Sequence, residues 1–416
     1  MTPVFNGLTE ASYKKSSVAV VATRPLRFLR FGLHVDTLIF SMVLCAWIPP
    51  HSSCHVPNRS ERYLAIIRGE HGVVGYAARV GLCVLSVPYR IGVNIRNRLF
   101  DNGHRKVHKL AVPVISIGNI TLGGTGKTPC VEYVARWCAD NGKQVAILSR
   151  GYGSDSGPND EAMVLEENLP DVPHLQGIDR VAIGTTAIEE LEAELLVLDD
   201  GFQHRRLHRQ CNIVLIDATC PLPTLRMFPR GTLREPIHQL RRASAIVITR
   251  CDVAGVEAAR EQRTWLSERF PSKPIALAEH VPTELVGVDA TMPFEELRGK
   301  PVAAFCGIGN PDSFRRTLER LGVTPSAFRI FPDHHAYTRS DVEDLATWAG
   351  EQPTGTQIVT TQKDWVKLRV AELGGKPLWT LKIAFRIVDG EAELHELLQT
   401  VLESCDISEP PTTLSD

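Results

Sequence analysis

The sequence predicts an α/β protein: a mostly parallel sheet with flanking helices, followed by a second, smaller α/β lobe. Three observations carry this. Short apolar runs, several of them β-branched, recur at 112–117, 145–149, 195–199, 213–217 and 245–249, and several end in polar or charged residues, as buried parallel strands do. Helical segments such as 127–139 and 186–194 fill the gaps, which is the alternation that crossover helices impose. The first run also passes into a glycine-rich loop that closes on Gly126-Lys127-Thr128.

That loop carries the most chemistry. Val112, Val114, Ile115 and Ile117 deliver the chain to Gly118, Gly123, Gly124 and Gly126. Glycine lets successive N–H groups turn inward and ring an anion. The helix starting near Lys127 adds the positive end of its dipole at the same spot. Lys127 is placed for the β- and γ-phosphates and the Thr128 hydroxyl for Mg²⁺. The strict GxxxxGK[ST] pattern fails by one residue, because Thr121 stands five places before Gly126. Even so, Gly123, Gly124, Thr125, Gly126, Lys127 and Thr128 are the candidate nucleotide-binding residues, and the fold expected is P-loop NTPase-like.

The other strand ends supply partners, because ligands of such sheets gather at strand C-termini. Run 195–198 ends in Asp199 and Asp200, where a P-loop protein holds Mg²⁺ directly or through water. Gly201 to Arg206 continue at the same edge. Ser149-Arg150-Gly151-Tyr152-Gly153 follow the second strand, and Asp160-Glu161 follow them in a Gly/Ser/Pro/Asn stretch. A carboxylate there would accept a proton from an acceptor hydroxyl, although spacing alone favours a surface turn. Residues 228–236, with Arg241 and Arg242, offer cations suited to a phosphorylated substrate. In the second lobe His334 and His335 follow Asp333, and an Asp-oriented histidine is a common catalytic arrangement. Position beside Asp333 favours His334 without excluding His335.

The chain has 416 residues, 43% hydrophobic and 23% charged, a composition able to bury a large core. A net charge of −2 gives no sign of nucleic-acid binding. Ten cysteines without CxxC pairs or ligand spacing read as reduced, buried small hydrophobes of a cytosolic protein. No stretch reaches the roughly 18 apolar residues of a membrane-crossing helix. Residues 1–73 form an N-terminal extension in which basic residues precede the apolar run 38–48. Residues 74–111 mix apolar side chains with Arg79, Arg90, Arg96 and Arg98. Helical pieces either side of Pro88 would lie in a bilayer interface or pack on the main domain. The P-loop core is expected over 112–275. A linker is expected over 276–300, where prolines are spread through short segments. The second lobe spans 301–404, with strands 302–306 and 356–361 and helices 311–321, 339–349 and 391–403. A Pro/Ser/Thr-rich tail, 405–416, reads as disordered.

Taken together, these blocks resemble the tetraacyldisaccharide 4′-kinase family, the lipid A kinases, over residues 85–400. The resemblance rests on PVISIGNITLGGTGKTP (113–129), SRGYG (149–153), DE (160–161), LDDGFQH (198–204), GTLREP (231–236), FPDHHAY (331–337) and TQKD (361–364), in that order. It implies transfer of the γ-phosphate of ATP, with Mg²⁺, to the 4′-hydroxyl of a tetraacylated, 1-phosphorylated glucosamine disaccharide. It also implies a peripheral place on the cytoplasmic face of the inner membrane, with an N-terminal helix reaching the glycolipid. By position, Thr125, Lys127 and Thr128 belong to the nucleotide loop, and Asp199 and Asp200 to the Mg²⁺ site. Asp160 matches the general base and His334 its dyad partner. Tyr152, Arg180, His204, Arg234 and Glu235 match other active-site positions.

Two other readings compete. A P-loop GTPase or ATPase switch acting through protein partners would want Asn/Thr-Lys-x-Asp after a later strand. Thr249-Arg250-Cys251-Asp252 lacks the lysine, and Thr361-Gln362-Lys363-Asp364 has it one place late. An ATP-dependent ligase acting on a soluble carboxylate would leave the interfacial segment 74–100 unexplained.

Overall fold

Apolar runs without alternation are satisfied only by burial on both faces, and the runs after residue 112 become central strands. The computed structural model of the chain describes residues 72–151 and 160–406, with Tyr63, Ile66 and Ile67 ahead of them. The rest of the N-terminal extension, Tyr152 and the tail beyond 406 lie outside the described residues. In chain order the elements begin with α1 (Gly72–Asp101), β1 (Val114–Asn119), α2 (Lys127–Asp140), β2 (Val145–Ser149), α3 (Asp160–Asn168) and β3 (His174–Gln176). Next come α4 (Arg180–Leu191), β4 (Leu195–Asp199), β5 (Cys211–Asp217), β6 (Ala245–Thr249), α5 (Cys251–Ala254), α6 (Val256–Arg269), β7 (Ile275–Val286) and β8 (Thr291–Met292). The second lobe adds β9 (Val302–Cys306), α7 (Pro311–Arg320), β10 (Ala327–Ile330), α8 (Arg339–Gly350), β11 (Gln357–Thr361) and α9 (Gln362–Leu368). It closes with β12 (Glu372–Leu373), β13 (Lys376–Asp389) and α10 (Glu391–Asp406).

All strands join one mostly parallel, 13-stranded sheet. Its main path runs β10-β9-β11-β13-β7-β6-β5-β1-β4-β2-β3. β1, β2, β4 and β6 are buried at every residue. On one face α2 packs Val131, Val134 and Cys138 against Ile115, Ile147 and Val197, and Leu394 and Leu398 of α10 complete that layer. On the other face Ala187 of α4 meets Val114, Leu148 and Leu196. Helix α4 begins six residues before the expected 186. Gly184-Thr185-Thr186 weaken the sequence signal, but Asp179 caps the helix by accepting from the N–H groups of Val181 and Ala182.

Residues 276–300 are not a simple linker. Within them β7 is a 12-residue strand that pairs parallel with β6 and antiparallel with β13, so both lobes share one sheet. Pro282, which argued for irregular chain, stands opposite Ile383 beside a register shift between Lys382 and Ile383, where a missing donor is tolerated. Residues 74–111 also differ from expectation, because α1 runs unbroken through Pro88. Residues around the proline face outward, so solvent can serve the carbonyl that loses its helical donor. Tyr89, Val93, Asn97 and Phe100 of α1 are buried in one stripe. Tyr76, Val80, Val84, Leu85, Val87, Ile91 and Ile95 are each roughly half exposed or more, leaving an apolar face uncovered. Among the described residues no helix is long and apolar enough to cross a membrane. The described cysteines are free; Cys130, Cys138, Cys211, Cys251 and Cys306 are buried as expected, whereas Cys83 and Cys220 are exposed.

Phe305 of β9 is fully buried and meets Phe331, Tyr337 and Trp348 edge-on. Phe305→Ala should lower unfolding free energy by about 3–5 kcal/mol. A urea melt shifted by less than about 1 kcal/mol would mean this cluster does not hold the second lobe.

Candidate active site

The chain leaves β1 with Asn119, whose Nδ2 donates to Thr125 Oγ1 at 3.0 Å. From the end of β6, Thr249 Oγ1 donates to the Thr125 carbonyl at 2.8 Å, pinning the loop from a second strand. The loop's outer wall is segment 231–236, through Leu122 N–H to Thr232 O and Arg234 N–H to Ile120 O. Gly126 precedes α2 with φ +79°, and a Cβ there would come within 2.6 Å of the His280 ring, so glycine is required twice over.

Charges at the loop are paired. Asp200 Oδ1 lies 3.8 Å from Lys127 Nζ, and Arg234 Nη1 donates to both Asp200 oxygens at 3.0 and 3.1 Å. Burial opposes ionisation of Asp200, yet Arg234 and then Lys127 hold its pKa below the ordinary carboxylate value. Asp199 is the opposite case. Burial pushes its carboxyl up to about 7, and Glu161 and Asp200 add repulsion that outweighs Lys127. Its Oδ1 is buried without a hydrogen-bond partner. A divalent cation would relieve such an orphaned oxygen, so Asp199 and the buried Thr128 hydroxyl fit Mg²⁺. Among the described residues no three His, Cys, Asp or Glu side chains form a cage of their own. Such an ion would therefore also need phosphate oxygens and water.

Asp160 is not in a surface turn. It opens α3, and its Oδ2 accepts from His334 Nδ1 at 3.1 Å and Lys367 Nζ at 3.0 Å. Burial works against its charge, but the bonds to His334 and Lys367 pull its pKa down to about 2. The bond to Asp160 raises the His334 pKa in return, with Asp333 assisting against burial. His335 turns elsewhere: its Nε2 lies 3.2 Å from Asp341 and its ring stacks on Phe331. His334 is therefore the partner, held with φ +58°, a conformation non-glycine residues seldom adopt.

Lys367 was not legible as a site residue. It is positioned by Asp364, which is fully buried and accepts from Gly307 N–H, the Tyr337 hydroxyl and Thr361 Oγ1. The signal was present in TQKD, with Thr361 capping α9 and Lys367 one turn past Lys363. Glu161 pairs with Lys363 at 3.1 Å, and its field reaches both Lys127 and Asp199. The Asp160–His334 pair and the glycine loop thus share one electrostatic neighbourhood.

Arg180 is buried, donates to the Ile178 carbonyl at 3.2 Å, and acts on both Asp200 and His204. Burial, then Arg180 and Arg209, lower the His204 pKa to about 4, so its ring is neutral at physiological pH. Glu235 is fully buried and faces away from this group. It accepts from Arg96 and Asn97 of α1, both at 3.0 Å, and from Arg242 at 2.5 Å. These bonds tie the segment next to Arg234 to α1.

The family model described as tetraacyldisaccharide-1-P 4′-kinase matches residues 78–403. Relatives named tetraacyldisaccharide 4′-kinase include one from Syntrophus aciditrophicus (strain SB), 39% identical over 342 residues, covering 76% of this chain and 91% of the relative. Another, from Anaeromyxobacter sp. (strain Fw109-5), is 36% identical over 359 residues, covering 80% of this chain and 96% of the relative. The crystal structure of LpxK from Aquifex aeolicus in complex with ATP superimposes with a TM-score of 0.65 at 34% identity, covering 78% of this chain and 99% of that one.

Two pH experiments test these charges. The raised pKa of His334 stabilises the fold fully below about 6.5, its unfolded value, and the contribution fades as pH rises through the folded value. His334→Asn should therefore cost more at pH 6 than at pH 9, by less than about 1 kcal/mol for a side chain this exposed; an equal or inverted difference would contradict the pairing. Asp199 has the same slope from a different cause, because burial penalises its ionised form and stability is lost as pH climbs from 3.8 to about 7. Asp199→Asn should stabilise the nucleotide-free protein at pH 8 by about 1–3 kcal/mol and have little effect near pH 3.5. Destabilisation at pH 8 in a urea melt would refute the orphaned-oxygen assignment.

Proposed function

The chain belongs to the tetraacyldisaccharide 4′-kinase family, and we propose that the residues gathered at the loop perform that family's reaction. The protein transfers the γ-phosphate of ATP to the 4′-hydroxyl of a tetraacylated glucosamine disaccharide 1-phosphate, a step of lipid A biosynthesis. The observation that carries the site assignment is the Asp160–His334 contact beside a loop whose lysine is already paired to a strand-end acid.

Loop N–H groups and Lys127 hold the phosphates, and Arg234 and Arg180 add positive charge around Asp200. Thr128 and Asp199 would hold Mg²⁺, with Asp200 as the further strand-end acid of the site, and the bound ion would supply charge neutralisation on phosphate oxygens. The 4′-hydroxyl oxygen attacks phosphorus, the bond to the ADP oxygen breaks, and the hydroxyl proton passes to the Asp160–His334 pair. Asp160 at pKa about 2 is a weak base, and His334 and Lys367 fix where it points. Weakness is tolerable because phosphoryl transfer depends mainly on positioning and charge stabilisation.

The uncovered apolar face of α1 rests on the cytoplasmic face of the inner membrane as a peripheral attachment, bringing the glycolipid to the site. Tyr89 Oη donates to the Arg234 carbonyl at 3.0 Å and Glu235 binds Arg96, so the membrane-facing helix and the loop move as one body.

Transfer of labelled phosphate from ATP to a tetraacyl disaccharide 1-phosphate in detergent tests this reading. Wild type should yield phosphorylated lipid, and Lys127→Ala and Asp160→Asn should each lose about 10²–10⁴-fold in kcat. Full activity of Asp160→Asn would remove the base. ATP hydrolysis without lipid product would favour a switch acting through protein partners.

A further inference from the structure

The two oxygens of Asp160 are not equivalent. Oδ2 accepts from His334 Nδ1 at 3.1 Å and from Lys367 Nζ at 3.0 Å, whereas among the described residues no hydrogen bond reaches Oδ1. The side chain is still 15% exposed, so an acceptor can approach it. We propose that Lys367 is a positioning residue for the transfer: with His334 it saturates Oδ2, so that Oδ1 is the atom that takes the proton of the acceptor hydroxyl. This inference rests on the reading of Asp160 as the base and names the oxygen that acts.

The surroundings of Lys367 supply the first argument. Its Nζ lies 3.9 Å from Asp364 Oδ1 and 5.5 Å from the centre of the Tyr337 ring. Asp364 has no exposed surface, and the Tyr337 hydroxyl donates to it at 2.9 Å, so the carboxylate and the ring form one fixed wall. Lys367 also stands in the last turn of α9, where the negative end of the helix favours a cation. Its side chain is only 11% exposed. An ammonium confined between two carboxylates acts on them; a phosphate-binding lysine would present a free head to the incoming ligand.

Proton chemistry supplies the second. A proton arriving at Oδ2 would have to displace one of two donors, the ammonium bond being charge-assisted, whereas at Oδ1 it displaces none. As the 4′-oxygen bonds to phosphorus, its O–H bond breaks and the proton settles on Oδ1. The bond from phosphorus to the ADP oxygen breaks, and its electron pair stays with that oxygen. Asp160, now neutral, remains tethered through Oδ2 to the second lobe. The choice of cation fits this division. An ammonium is a point charge that can serve one oxygen, whereas a guanidinium presents a planar fork that engages both.

The test is phosphate transfer by Lys367→Met and Lys367→Arg, each alone and combined with Asp160→Asn. Lys367→Met removes the charge at similar length, and Asp364 keeps its bonds from Gly307, Tyr337 and Thr361. It should lower kcat by about tenfold or more and leave the KM for ATP and for lipid within about twofold of wild type. Lys367→Arg keeps the charge but covers Oδ1, and should lower kcat by a similar factor. If the methionine variant fails to fold, the arginine variant carries the same test. On top of Asp160→Asn, neither change should slow transfer by more than about twofold, because the carboxylate through which Lys367 acts is already gone. Full kcat in either single variant would overturn the proposal. So would a rise in KM at constant kcat, which would put Lys367 on a substrate, or a further large loss on top of Asp160→Asn. Full activity of Asp160→Asn alone would instead strike at the base reading itself.

Discussion

The antiparallel pairing of β7 with β13 is the constraint on which the rest of the structure depends. It is the seam where a parallel sheet built around the phosphate loop continues into a second parallel sheet built around β9 and β11. Without that seam, nothing would oblige α9 and the turn after β10 to face α3. With it, His334 and Lys367 reach across about 170 to 210 residues of chain to a single carboxylate oxygen of Asp160. The Asp160–His334 contact is a product of sheet continuity rather than of any local motif. Long-range pairing of this kind closes slowly and cooperatively, so the site should form only when both lobes are folded.

Charge placement follows the same architecture. Each acid at the phosphate edge is assigned one task by its surroundings. Asp200 is held ionised by Arg234 and Lys127, whereas Asp199 is left with an orphaned oxygen and a raised pKa. Asp160 is held ionised from the second lobe. Behind Arg234, Glu235 is buried without exposure and bonded to Arg96, Asn97 and Arg242. A buried carboxylate with three donors is costly to disturb, since removing it would strand two arginines. It therefore sets the angle between α1 and the loop.

Much of this was legible in the residues. Strands announced by continuous β-branched runs were found within a residue or two, because burial on both faces admits no other pattern. The glycine loop was legible because its backbone geometry restricts the side chains allowed. What failed were features decided by distant partners. β7 was hidden by Pro282, whose missing donor is absorbed beside a register shift. The start of α4 was hidden by Gly184-Thr185-Thr186. Asp160 reads locally as a turn residue, since the contacts that define it come from residues 334 and 367. The partners of Glu235, Arg96 and Asn97 of α1 and Arg242, were likewise not readable from its local sequence. Of the two adjacent histidines it is His334 that touches Asp160, because Asp341 and Phe331 claim His335.

The central claim is that Asp160 and His334 act as one proton-accepting unit assembled from two lobes. The most direct measurement is a double-mutant cycle on the single-turnover rate of phosphate transfer, using Asp160→Asn, His334→Asn and the combined variant. The account predicts that the combined variant is no slower than the slower single variant, because breaking a unit once is enough. Losses that multiply would show two independent contributions and contradict it.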